Sequence, residues 1–193
     1  MKKTGIAFML AGVICIISAM SLLVYNNAES KKAHDASTAL IESLRTVIEE
    51  NGNIPVDPFD DEMRIRNIDG YGYIGYLTVP ALELELPVMS ECDYSRLKIS
   101  PCRYFGSTKT DNLVIAAHNY KHHFGYLGHL NQGDIVIFTD MDAKVYTYKV
   151  ESVELLFPTD VDKVKNTGDD LILYTCNYSG SMRITVRCSY VTA

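Results

Sequence analysis

From residue 71 onward, the chain consists of short runs of β-branched and aromatic residues separated by turn residues. The runs cover residues 74–79, 81–86, 113–118, 134–138, 145–150, 152–157, 171–175 and 183–190. Each run has the length and composition of a single strand, and none of them continues with the period of an amphipathic helix. Eight such strands at short spacing predict an all-β sandwich or barrel.

The N-terminal part has a different character. Residues 5–25 contain no charge, and a span of about 20 apolar residues is long enough to cross a bilayer. Lys2 and Lys3 precede this span, and positive residues favour the cytoplasmic side. We therefore expect a cytoplasmic tail (residues 1–4), an uncleaved transmembrane signal-anchor (residues 5–25) and an extracellular remainder. A cleaved signal peptide is the alternative, but the end of the span offers no small-x-small cleavage site.

Residues 26–70 predict a helical stalk followed by an acidic connector. Leu40, Leu44 and Ile48 recur at helical spacing, and Asn51-Gly52 is a plausible C-terminal stop. We expect this helix to pack on the domain that follows it, at residues 71–193. The formal net charge is −6 with no basic stripe, which argues against a nucleic-acid partner.

Two runs near the C-terminus place reactive side chains at strand ends. One run ends at Cys176, and the next begins at Arg183 after six residues. If those six residues form a hairpin loop, Cys176 lies directly across from Arg183, with Cβ atoms about 5 Å apart. Upstream, the run at residues 113–118 ends in His118. A thiol, an imidazole and a guanidinium suit the roles of nucleophile, proton shuttle and oxyanion-stabilising cation.

This set of residues resembles the sortases, the cysteine transpeptidases of Gram-positive cell surfaces. Their signature is a Thr-Leu-x-Thr-Cys strand end, then a strand carrying Arg, with a His ending an earlier strand. Leu173-Tyr174-Thr175-Cys176 matches, with Ile172 in place of the first Thr. Residues 74–80, 84–88 and 133–138 also resemble strands of that family. The resemblance spans residues 71–190.

The resemblance implies a closed eight-stranded β-barrel and a metal-free, cofactor-free reaction. Cys176 would attack an LPxTG-like sorting signal of secreted proteins to form a thioester, with His118 as acid and Arg183 as oxyanion stabiliser. The acceptor would be an amine of a peptidoglycan cross-bridge or, in the pilin-polymerising class, a pilin lysine. Thr175 and Asn119, next to Cys176 and His118, are candidates for substrate contact.

The resemblance also suggests a lid. Pilin-polymerising sortases carry an Asp-Pro-aromatic segment ahead of the barrel, and Asp57-Pro58-Phe59 has that pattern. Because Asp-Pro is also an ordinary turn element, a plain connector is the alternative.

Other assignments remain open on the sequence. A papain-like peptidase would place its cysteine before its histidine, usually at a helix start, and the order here is reversed. A membrane-tethered binding module would need Cys176 and His118 only as structural residues. His122, His123 and His129 lie in one loop but lack the spacing of a zinc site. Cys92 and Cys102 could form a disulfide, which spacing alone does not decide.

Overall fold

The computed structural model describes residues 2–51, 62–165 and 167–191. The elements in chain order are α1 (Lys2–Asn51), β1 (Arg66–Ile68), β2 (Tyr71–Val79), β3 (Leu84–Met89), α2 (Tyr94–Leu97), β4 (Cys102–Phe105), β5 (Leu113–Ala116), β6 (Ile135–Asp140), β7 (Val145–Leu156), β8 (Leu171–Cys176) and β9 (Arg183–Tyr190). Short 3₁₀ turns occupy Pro80–Leu82, Leu127–His129 and Val161–Val164.

Eight of these strands close into a barrel, as predicted. The hydrogen-bonded order runs β2-β3-β4-β5-β8-β9-β7-β6, and β6 pairs back onto β2. Strand β1 adds a short antiparallel pairing to the start of β2. Most neighbours are antiparallel, but β3 runs parallel to β4, and β5 runs parallel to β8. Since parallel neighbours end at the same edge of a sheet, the residues that follow β5 and β8 come together at one end of the barrel.

The barrel interior follows from strand alternation. On β8, the side chains of Leu171 and Leu173 point inward, and they pack with Val186 and Cys188 of β9 in the main core. The intervening residues, Ile172 among them, point to the outer face of the sheet. This alternation decides which side chains near the end of β8 face solvent.

Several strand predictions need correction. The runs at 145–150 and 152–157 form one strand, β7, because a bulge between Val150 and Ser152 lets it continue through a register shift. The run at 81–86 begins only at Leu84, because the chain first makes a 3₁₀ turn that ends with Glu83 in the left-handed region. Strands β1 and β4 were not predicted.

Helix α1 is continuous from Lys2 to Asn51, so the apolar span and the stalk are one element. By its length and composition, part of this helix could cross a membrane. The distal part packs on the barrel, where Leu44 and Ile48 are buried against Tyr73, Met89 and Met141. The predicted packing of this helix on the following domain is what the structure shows.

The connector is shorter than predicted. Strand β1 begins at Arg66, within the range expected as connector, because Arg66–Ile68 pairs with Tyr71–Tyr73 across a tight turn. The predicted lid residues Asp57 and Phe59 lie outside the described residues.

Candidate active site

The hairpin of β8 and β9 places Cys176 opposite Arg183. The two residues are register partners at the end of the ladder, as the six-residue loop predicted. Asn177 closes this loop: its backbone N–H donates to the Met182 carbonyl at 3.0 Å, and its side-chain oxygen accepts from the Met182 N–H at 3.1 Å. The thiol and the guanidinium therefore share the outer face of the sheet at the barrel end.

His118 lies beside Cys176 because β5 and β8 are parallel. Ala116 is the register partner of Tyr174, and the Ala117 N–H donates to the Tyr174 carbonyl at 3.1 Å. One residue beyond His118, the Asn119 side-chain amide donates to the Asn177 carbonyl at 3.1 Å. Since the residues on both sides of His118 bond to residues on both sides of Cys176, the chain segments carrying the two are neighbours.

Thr175 links these two strands. Its hydroxyl donates to the Ala117 carbonyl at 2.8 Å, and the residue is only 2 % exposed. Strand alternation turns Thr175 away from the face that carries Cys176. The structure therefore gives Thr175 the position of a fixed link between the strands, and the predicted substrate contact is not available to its buried side chain.

The His118 imidazole is enclosed by aromatic rings. The Tyr120 ring stacks on it at 4.9 Å between centroids, and the Tyr94 ring meets it edge-on at 5.5 Å. Within the described part of the chain, the buried His118 Nε2 has no hydrogen-bond partner. Burial lowers the pKa of His118, and the nearby positive charge of Lys98 lowers it further. No carboxylate orients this imidazole in the described residues.

The Arg183 guanidinium is held at the mouth of the hairpin. It donates to the Gly180 carbonyl at 3.0 Å and to the Met182 carbonyl at 3.2 Å. It also interacts with the Tyr174 side chain, where its charge opposes the rise in the Tyr174 pKa that burial causes. Arg183 stays partly exposed, so the cation can face a ligand lying along the outer side of β8.

A small apolar patch continues from Cys176 down the outer face of β8. Its buried members are Val114, Leu156, Val164 and Ile172, with Tyr104, Phe105 and Tyr174 packed against them. The Tyr104 and Tyr174 rings stack at 6.0 Å. The 3₁₀ turn Val161–Val164 contributes Val164 to this cluster, so the turn covers part of the outer face of β8.

Sequence reasoning missed five residues of this site, including Tyr120, which stacks on His118. Tyr174 could have been found, since it lies two residues before Cys176 and therefore on the same face. The sequence does not indicate that Tyr94 and Lys98 lie near His118, or that Tyr104 lies near Tyr174. These contacts depend on the path of α2 and β4 around the barrel. Cys92 and Cys102 are both free thiols, and the Cys102 Sγ donates to the Ser100 carbonyl at 3.3 Å.

A metal centre finds no support in the described residues, where no group of three or more His, Cys, Asp and Glu side chains could hold an ion. His123 is buried beneath Tyr120, with ring centroids 5.5 Å apart, whereas His129 stacks on Tyr126 at the surface. The histidines of this loop thus point in different directions.

Solved structures of similar fold share this barrel. Sortase C-3 from Streptococcus pneumoniae is 23 % identical, with 84 % of this chain and 85 % of that chain covered and a TM-score of 0.57. A sortase D5 transpeptidase from Clostridium perfringens is 16 % identical, with 82 % and 99 % covered and a TM-score of 0.63. Sortase A from Corynebacterium diphtheriae is 17 % identical, with 91 % and 96 % covered and a TM-score of 0.57.

No curated protein sequence matches the chain. The family model of the sortase domain matches residues 77–191, which is more than half of the chain and includes β8, β9 and the segment between β5 and β6. The chain belongs to the sortase family.

Proposed function

We propose that this protein is a cysteine transpeptidase that cleaves an LPxTG-like sorting signal and transfers its acyl part to an amine of peptidoglycan. The observation that supports this most is the pairing of Cys176 with Arg183 at a barrel end where His118 follows the neighbouring strand β5 by two residues. A nucleophile, a proton carrier and a fixed cation are the groups that acyl transfer needs.

In the first step, Cys176 attacks the carbonyl carbon of the Thr residue of the signal as the thiolate, while His118 holds the proton. A C–S bond forms, the Thr–Gly C–N bond breaks, and the leaving amine takes a proton from His118. Arg183 donates to the oxygen that becomes negative in the tetrahedral intermediate. The product is a thioester between the signal and Cys176.

In the second step, an amine attacks the thioester carbonyl. A new C–N bond forms, the C–S bond breaks, and the proton lost by the amine returns to His118. When no amine is present, water takes its place and the enzyme acts as a hydrolase. The partly exposed Tyr174, which lies two residues before Cys176 on the same face of β8, would contact the apolar residues that precede the reacting Thr.

The helix α1 supports placement at a membrane. Its apolar stretch suits a single-pass anchor, and we propose that the N-terminus is cytoplasmic and the barrel extracellular. Secreted proteins that carry a sorting signal and the amine acceptor would both be within reach there.

The test uses the full chain in detergent with a panel of LPxTG-like peptides and two amines, a cross-bridge glycine peptide and a lysine-bearing pilin peptide. Mass spectrometry should detect a transpeptidation product and an acyl adduct on Cys176. Transfer to the lysine peptide alone would favour the pilin-polymerising alternative. Absence of any adduct with every peptide, in a folded protein, would leave the non-enzymatic binding module as the better assignment. Cys176→Ala is the matched control.

A further inference from the structure

An open groove of about 740 Å³ separates helix α1 from the active-site end of the barrel. One wall is formed by helix residues 23–30, and the other by residues 119–121 and Tyr178. The second wall belongs to the active site: Asn119 follows His118, and Tyr178 lies two residues beyond Cys176. The mouth of the proposed site therefore lies at the level of helix residues 23–30.

That level on the helix is a polarity boundary. Leu23 and Val24 end the run of aliphatic residues, with exposed fractions of 63 % and 69 %. Asn26 and Asn27 follow Tyr25, and all three side chains are exposed. Tyrosine at the end of a transmembrane span prefers the headgroup region. If the span crosses a bilayer, the headgroups lie at residues 25–27.

The opposite wall has the side chains that a headgroup layer attracts. Tyr178 is 96 % exposed, so its whole ring is available to the surroundings. Lys121 is also exposed, and its ammonium group can reach a phosphate while its stem lies along apolar surface. Tyr and Lys together are typical of membrane interfaces.

The other end of the barrel lies far from this boundary. Leu44 of α1 packs on Met141, which follows β6, and Tyr146 and Tyr190 lie at the same end with rings 6.4 Å apart. Leu44 is 19 residues beyond Tyr25, which corresponds to about 28 Å at 1.5 Å per residue. The barrel thus lies alongside the helix, with its active-site end nearer the apolar span.

We propose that the groove between helix residues 23–30 and residues 119–121 holds a phospholipid headgroup, and that Tyr178 and Lys121 rest on the bilayer surface. Lys121 pairs with the lipid phosphate, and Leu23 and Val24 adjoin the acyl chain. The site of Cys176 then opens at the headgroup layer, where it meets a substrate that is still attached to the membrane. This inference rests on the proposed membrane anchoring of α1.

The test exploits the absence of tryptophan from the sequence, because one substitution creates a single emitter. Full-length Tyr178→Trp, Tyr190→Trp and Ile14→Trp proteins are reconstituted in vesicles of phosphatidylcholine and phosphatidylglycerol. One set of vesicles carries a nitroxide on the lipid headgroup, and another carries bromine deep in the acyl chains. Lys121→Trp is a second probe of the same surface in case Tyr178→Trp does not fold.

We expect the headgroup nitroxide to cause a clear loss of emission from Tyr178→Trp and Lys121→Trp and none from Tyr190→Trp. Acyl-chain bromine should quench Ile14→Trp. If Ile14→Trp is quenched and both surface probes are not, the chain is anchored but the site faces away from the bilayer. In that case the proposed lipid contact is wrong, and the proposed anchoring stands. Equal quenching of Tyr178→Trp and Tyr190→Trp also overturns it. If Ile14→Trp is not quenched, the anchoring itself is wrong, and the inference fails with it.

Discussion

His118 is held where its charged form is disfavoured. Burial lowers the pKa of His118, and Lys98 adds a repulsive charge from the side of Tyr94, over whose ring its Nζ lies at 4.9 Å. A general acid must carry a proton before it can donate one. In the proposed role of His118 as acid, the lowered pKa reduces the fraction of enzyme that can protonate the leaving amine at a given pH.

Removal of the Lys98 charge should raise the pKa of His118. In Lys98→Met, His118 then stays protonated to higher pH, so the alkaline limb of the pH profile of kcat/KM shifts to higher pH. Lys144→Met, at the opposite end of the barrel, is the matched control and should leave the limb unchanged. An unmoved or downward-shifted limb in Lys98→Met contradicts the proposed role of His118 as acid.

Arg183 and Arg187 share one face of β9 but have different surroundings. Arg183 faces Cys176. Among the backbone carbonyls of the described residues, its guanidinium donates only to those of its own hairpin loop. Arg187 forms ion pairs with Glu154 and Asp169, and it donates to the Lys163 carbonyl at 2.7 Å. Arg183 is therefore the arginine that we propose for the reaction, whereas Arg187 ties the segment between β7 and β8 to the sheet.

We expect Arg183→Ala to lower kcat/KM by about two orders of magnitude or more, the scale of losing an oxyanion donor. Its free energy of unfolding should change little. Arg187→Ala should lower kcat/KM by less than about one order, but it should cost about 1–3 kcal/mol of stability because two partly buried carboxylates lose their partner. Steady-state kinetics of both variants gives the loss in kcat/KM, and urea unfolding gives the loss in stability. The reverse ranking would show that Arg187 is the arginine used in catalysis.

At the scale of elements, some features could be read from the sequence and others could not. The β8–β9 hairpin was predictable because two alternating runs and a six-residue gap fix the register, and this placed Cys176 opposite Arg183. Strands β1 and β4 have three and four residues, and neither carries a pattern of its own. Strand β4 exists because Cys102 pairs with Met89 and Ala116, which are distant in sequence. The aromatic enclosure of His118 is likewise a tertiary effect.

The turn between β6 and β7 depends on one buried carboxylate. Asp140 is 4 % exposed and accepts the backbone N–H groups of Asp142 and Lys144, each at 2.9 Å. It also accepts the Tyr146 hydroxyl at 3.1 Å. Burial raises the pKa of Asp140 despite these bonds, because the cost of burying the charge exceeds the stabilisation that the bonds give to the ionised carboxylate.

Asp140→Ala should therefore lower the free energy of unfolding by about 1–3 kcal/mol, since three donors lose their acceptor. Asp140→Asn keeps one acceptor oxygen and should lose less. Because the folded pKa is raised, ionisation destabilises the wild-type protein as pH rises through that pKa. The deficit of Asp140→Asn relative to wild type should thus shrink from acid to neutral pH in urea unfolding. A deficit that grows with pH would mean that the turn needs the charge.

At the scale of the whole molecule, stability depends on closure of the barrel, because closure leaves no unpaired edge. Strands β2 and β6 close the barrel, and Gly75 of β2 is the register partner of Asp140 of β6. Gly75 lies at a bulge with φ of 148°, and a Cβ there would sit 2.1 Å from the Thr139 carbonyl oxygen. Only glycine lets the two strands approach this closely.

Gly75→Ala should therefore cost more than the same change at a glycine that is merely in the left-handed region. Gly133 is the matched control: its φ is 97°, but no heavy atom lies within 4 Å of the added Cβ. We expect Gly133→Ala to lose about 1 kcal/mol from backbone strain alone. Gly75→Ala should lose at least about 3 kcal/mol, because β2 and β6 must also separate to admit the methyl group. Urea unfolding of the full chain in detergent measures both. Equal losses would mean that the closing strands have room for a side chain, and that closure does not depend on Gly75.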